Sequence, residues 1–155
     1  MPIMHWTSKM SVGVQEIDED HKKLISVINR LAEDADKEDR KLAVRQSIAA
    51  LLRYAEFHFA REEKMMTVAR YPGLAEHKIE HRDFVTKIKD LNRLFDDDPE
   101  GVTNFVRDTL LDFLRDWLNH HILIEDKAYQ ACVTGNPDAI AAAKSFQAAE
   151  VWWSR

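Results

Sequence analysis

At 155 residues, 45% hydrophobic and 32% charged, the chain is sized for one domain with enough core to fold without help from a metal. Only four glycines and four prolines argue against a turn-rich β architecture and for an all-α class. A formal net charge of −5 excludes a basic field for nucleic acid, and the lone Cys132 excludes a disulfide framework or a thiolate cluster.

Residues 1 to 16 keep no sustained period. Ser11 and Gly13 break the pattern while Trp6, Val12, Val14 and Ile17 anchor it, which predicts an ordered N-terminal arm. Asp18 is placed to cap a first helix over about 18–37, with Ile17, His21, Leu24, Ile25, Ile28, Leu31 and Ala32 at helical spacing. The charged run from Glu33 to Arg40 reads as a connection. A second helix over about 41–66 carries Val44, Ile48, Leu51, Leu52, Ala55, Phe59 and Met66 on its apolar side. His58 and Glu62 sit among them, four residues apart, with Arg61 and Glu63 turned away. Tyr71-Pro72-Gly73 breaks the chain. The third helix, running to about Phe95, carries His77 and His81 near the stripe of Leu74, Phe84, Ile88 and Leu91.

Asp96 to Gly101 marks a surface turn. A fourth helix, about 102–131, shows a wide apolar face from Val102 through Leu110, Leu114, Trp117 and Leu118 to His121, while His120 is turned by about 100° toward the rim. Gly135-Asn136-Pro137-Asp138 stops that helix, and Ala139 to Val151 form an Ala-rich helical stretch before Trp152-Trp153. Short connections favour antiparallel neighbours. The expectation is an antiparallel up-down-up-down four-helix bundle over residues 1–131 with an N-terminal arm, and a C-terminal helical tail over 132–155 packed on or appended to it. No stretch approaches the roughly 18 apolar residues of a membrane span, and no leader pattern opens the chain, so a soluble, cytoplasmic protein is expected.

Every helix of the bundle turns a histidine inward: His21, His58, His77 with His81, and His121. One such histidine is usually a hydrogen-bonded core residue. Five imidazoles and Glu62 in one interior are another matter, because each unpaired polar group costs on the order of 1–3 kcal/mol. A metal compensates all of them at once. Nitrogen and oxygen donors without thiolate suit iron, manganese, copper or zinc, and more than four ligands fit two ions sharing a carboxylate better than one tetrahedral site. Spacing leaves the acid that joins His121 ambiguous. Glu125, four residues on, suits a straight helix, whereas Asp126 lies about 140° around the axis, so periodicity chooses Glu125.

The order Trp6, Val12-Gly13-Val14, Ile17-Asp18, His21, His58 to Glu62, His77 to His81, and Trp117-Leu118 before His121-Ile122 and Asp126 resembles the hemerythrins, most closely the bacterial single-domain forms. The likeness spans roughly residues 1 to 130. It implies Asp126 in place of Glu125, which becomes a solvated or outer acid. It also implies two iron ions bridged by oxide or hydroxide. His77, His81 and His121 would hold one, His21 and His58 the other, and Glu62 and Asp126 would bridge them. Dioxygen would then bind reversibly at the iron with an open position, for storage, delivery or sensing and not as an enzyme. The alternative is a redox enzyme on the same core, acting on peroxide, nitric oxide or ferrous iron.

Leu24, Phe59, Trp117, Leu118 and Ile122 lie one residue or one turn from those positions and are expected to wall a dry oxygen pocket. No further acid, tyrosine or cysteine is expected there to relay protons, which favours holding oxygen over activating it. A monomer is favoured, with an oxygen-using enzyme or an electron donor left open as partner. Trp152, Trp153 and Phe146 are expected by default to cap the bundle, with pairing to another protomer or docking of a partner left open, and Cys132 and His5 to be structural.

Overall fold

The computed structural model describes residues 3–33 and 39–147. After a short 3-10 turn, Ser8–Met10, come α1 (Gln15–Glu33), α2 (Arg40–Ala69), α3 (Leu74–Asp97) and α4 (Pro99–His120). A π-helical turn, His121–Asp126, then leads into α5 (Lys127–Thr134) and α6 (Pro137–Ser145). The first four helices pack as the antiparallel bundle that the periodicity predicts. No helix among the described residues is long and apolar enough to cross a membrane.

Helix starts follow their capping residues. The side chains of Asp39, Asp98 and Asn136 each accept a hydrogen bond at 3.1 Å from a backbone N–H three residues on, and Pro99 and Pro137 occupy first-turn positions whose N–H would be unpaired anyway. Asp18 departs from expectation. α1 begins earlier, at Gln15, and the Asp18 carboxylate instead accepts from Val12 N at 3.0 Å and Ser11 Oγ at 2.5 Å, which fastens the arm. Gly13 makes that turn possible: its φ is +78°, and a Cβ there would meet Thr134 Cγ2 at 2.8 Å. Asn29 holds the other end of the arm, accepting from the backbone N–H groups of Ile3 and Met4 and donating to the Met4 carbonyl.

Two large apolar clusters fill most of the interior, beside a small third one of Ala60 and Phe146 with Phe57. Leu24, Ile28, Leu51, Phe59, Phe84, Ile88, Leu114 and Leu118 belong to the larger one. Val12, Val14, Ile17, Met65, Met66, Tyr129 and Val133 form the smaller one with Ala139 and Ala143 of α6. Along every helix the inward histidines fall between these clusters, so the polar layer is sealed from both ends. α5 runs unbroken through position 131, and the chain turns after Thr134, which lays α6 along α2. Phe146 packs edge-on to Phe57 at 5.3 Å. Trp152, Trp153 and the expected last turn of the first helix lie outside the described residues.

Candidate metal centre

The layer between the clusters holds seven donor side chains from three of the bundle helices and the segment that follows α4: His21, His58, Glu62, His77, His81, His121 and Asp126. Each is at most 2% exposed. They fall into two groups, Glu62-His77-His81-His121-Asp126 and His21-His58-Glu62-Asp126, within each of which one ligand atom per residue lies within 4.8 Å of the others. The two carboxylates belong to both. Asp126 approaches His77 Nε2 at 2.9 Å, His121 Nε2 at 3.0 Å and His21 Nε2 at 3.1 Å, and Glu62 approaches His58 Nε2 at 2.8 Å.

The i+5 position of Asp126 has a local cause. In a regular α-helix it would stand about 140° from His121. The π-helical turn over His121–Asp126 replaces i→i+4 bonds by i→i+5 bonds and widens the coil by one residue, which returns Asp126 to the face of His121. The choice of Glu125 by straight-helix spacing is therefore overturned. Glu125 points outward, with Oε1 3.4 Å from Nε2 of the exposed His120.

A family model for the hemerythrin HHE cation binding domain matches residues 12–133. A bacteriohemerythrin of Clostridium acetobutylicum is 32% identical over 128 residues, 80% of this chain and 96% of that protein. One from Methylococcus capsulatus is 33% identical over 135 residues, covering 86% and 99%. The chain belongs to the hemerythrin family. The crystal structure of a wild-type hemerythrin superposes with a TM-score of 0.75 at 32% identity, covering 85% of this chain and 98% of that one.

The cofactor of hemerythrins is a di-iron centre, and the donor set of this chain fits it. Buried His21 Nδ1 and Nε2, His77 Nε2, Glu62 Oε1 and both Asp126 oxygens make no hydrogen bond. Close approach without hydrogen-bond alignment is what lone pairs aimed at shared cations produce, and so many orphaned buried atoms would otherwise carry a heavy desolvation cost.

Around the donors stand residues that the sequence reading missed. Asp20, buried beside His21, accepts from His58 Nδ1 at 3.0 Å and from Arg61 at 3.0 Å. Glu63, expected to turn away, accepts from His81 Nδ1 at 2.9 Å, and Arg61, expected to turn away with it, is drawn in toward Asp20 and the Glu16 carbonyl. Such carboxylates fix the tautomer so that Nε2 is left free to ligate. Tyr129 of α5 donates from its hydroxyl to Glu62 Oε2 at 2.5 Å. The expectation of no tyrosine or further acid near the donors is thus corrected. For Tyr129 a signal existed, since it lies one helical turn beyond Asp126.

Charge coupling across the layer is strong. Burial pulls the His58 imidazolium down, but the Glu62 and Asp20 carboxylates outweigh it and raise the pKa to about 10. His121 is likewise raised to about 10, with burial overcome mainly by Asp126 and then Glu80. Burial and mutual repulsion push Glu62 up, yet His58 and His81 bring it below its ordinary value, and His121, His21 and His77 do the same to Asp126 against burial. Burial first, then Glu62 and Asp126, drives the Tyr129 phenol well above its ordinary range, so it keeps the proton that it donates.

The five expected pocket residues are core residues in the structure: Leu24, Phe59, Leu118 and Ile122 are buried in the larger apolar cluster and Trp117 packs partly buried against it. Phe59 stacks on His81 with ring centroids 3.9 Å apart, and Trp117 on His121 at 4.2 Å. Both aromatic walls therefore face the group with three histidines. Cys132 is half-buried and donates to the Ala69 carbonyl, and His5 is exposed.

Proposed function

We propose that this chain binds dioxygen reversibly at two iron ions held by His21, His58, Glu62, His77, His81, His121 and Asp126, for storage, delivery or sensing. One observation carries the reading: two buried donor groups that share Glu62 and Asp126. His77, His81 and His121 would serve one ion. His21 and His58 would serve the other, whose smaller set of protein donors leaves room for dioxygen. Ferrous ions bound there supply the electrons on which reversible dioxygen binding draws.

The rest is the work of the chain. Asp20 and Glu63 orient His58 and His81 through their Nδ1 atoms. Leu24, Phe59, Trp117, Leu118 and Ile122 keep water from the layer. Tyr129 holds a proton on Glu62, which fixes the carboxylate and offsets part of its buried charge. This set suits a binding protein in the cytoplasm, where a single unpaired cysteine is at home. The bundle over residues 1–131 carries the site as a monomer, and the tail from 132 onward braces it through α6 on α2. Partners would be an electron donor or an enzyme that uses the oxygen.

The reduced protein is expected to gain a visible absorption band in air and to lose it on deoxygenation, with two irons per chain. Direct irreversible oxidation would overturn the reading. The second reading, a redox enzyme on the same core, is favoured by one observation, the Tyr129 hydroxyl on Glu62. It requires turnover of peroxide or nitric oxide far above that of free iron, abolished in His58→Ala.

A further inference from the structure

The π-helical turn creates two pairs of residues five apart, and only the inner one, His121 with Asp126, belongs to the di-iron site. The outer pair is His120 with Glu125, Nε2 to Oε1 at 3.4 Å. Glu80 of α3 completes a triad, and one ligand atom from each of Glu80, His120 and Glu125 lies within 4.8 Å of the others. An exposed His–Glu ion pair by itself is worth little. A second observation points to a ligand here. His121 Nδ1 is buried and makes no hydrogen bond, yet it faces Glu80 Oε2 at 3.6 Å, beyond hydrogen-bond reach. The Nδ1 atoms of His58 and His81 are firmly held by Asp20 and Glu63 at 3.0 and 2.9 Å. Glu80 alone of these three acids stands off from its histidine, and it is also the most exposed of them, at 31% against 8% and 15%.

We propose that Glu80, His120 and Glu125 form a third metal site, at the surface beside the di-iron centre, that takes a divalent first-row ion and passes ferrous iron inward past His121. One imidazole and two carboxylates neutralise a divalent charge, leave coordination positions to water, and suit Fe(II), Mn(II) or Zn(II). Exposure keeps such an ion exchangeable. The inward route follows from the His121 ring, whose Nε2 lies 3.0 Å from Asp126 while its Nδ1 faces Glu80. The seven buried donors are sealed, so an arriving ion meets partly exposed acids first, and among the described residues outside the buried layer this triad brings its ligand atoms close enough to bind it. The passage of iron rests on the di-iron reading above; the surface site does not.

The test uses air-oxidised, iron-loaded protein titrated with Mn(II), the free ion followed by its paramagnetic resonance signal. The wild type is expected to retain one Mn(II) per chain, and the His120→Ala, Glu125→Gln double variant, which leaves every buried donor in place, to bind about tenfold or more weakly. Equal retention by both overturns the site. In a second measurement, metal-stripped protein takes up Fe(II): the double variant is expected to fill several-fold more slowly and still reach two irons per chain, whereas equal rates overturn the passage. Iron content is measured in the same samples. A wild type that never holds two irons sinks the di-iron reading, while full iron with no retained Mn(II) sinks the surface site alone.

Discussion

Tyr129 and Asp20 act on the centre without belonging to the donor set. Tyr129→Phe removes the one hydrogen-bond donor that Glu62 Oε2 has among the described residues and leaves a buried carboxylate oxygen unsatisfied. The expected loss is about 1–3 kcal/mol of stability, read as a Tm lowered by about 5 °C in calorimetry. An unchanged Tm would mean that the phenol contributes nothing. Asp20→Asn keeps the shape but weakens the hold on His58 Nδ1 and strips Arg61 of its charge partner. Iron affinity is expected to fall about 10- to 100-fold in competition with a chelator. The role of Asp20, like that of Glu63, was not legible in the sequence. Helical period assigns a residue to a face, and Asp20 and Glu63 each sit beside a donor on the chain, about 100° around the axis. What brings them in is the neighbouring helix, whose histidine offers an Nδ1 proton across the interface.

At the level of the elements, the apolar stripes gave the starts of the bundle helices to within a few residues, because burial on one face leaves a 3.6-residue period in the chain, but the fourth helix, expected to run to 131, ends at His120 where the π-helical turn begins. The π-helical turn left no such trace. His121-Ile122-Leu123-Ile124-Glu125-Asp126 has apolar residues on every side, so no stripe reveals the widened coil. The Asp18 cap misled for a related reason, since an aspartate one turn inside a helix has the same sequence signature as one at its start. A second element-scale feature carries a prediction. α2 ends at Arg70, held at φ 55° and ψ 42°, with its N–H returned to the last turn. A side chain in that left-handed region costs about 1–2 kcal/mol, and glycine escapes most of it at an entropic cost of about 0.5–1 kcal/mol. Arg70→Gly is therefore expected to raise Tm by about 2 °C. A lowered Tm would show that the arginine side chain stabilises the helix end by more than its backbone strain.

For the whole molecule, stability couples iron to protons. In the metal-free chain His58 and His121 titrate near 10 instead of 6.5, so their contribution to folding is complete below about pH 6.5 and is lost as pH rises toward 10. Glu62 and Asp126 are displaced downward from 4.5 and 3.8, so their contribution holds above about pH 4.5 and is lost in acid. The stripped protein should thus be most stable between about pH 4.5 and 6.5. Iron reverses the upper limit, because ligation needs neutral imidazoles. At pH 7 loading must displace protons from both histidines, and that competition fades as the solution becomes more basic. The gap in Tm between loaded and chelator-stripped protein is expected to be about 10 °C, from roughly 4 kcal/mol of binding at a thousandfold excess over Kd. It should widen steadily from pH 6.5 to 8.5. A gap that stays constant over that range would show that the stripped chain already holds His58 and His121 neutral, with the two carboxylates protonated in their place.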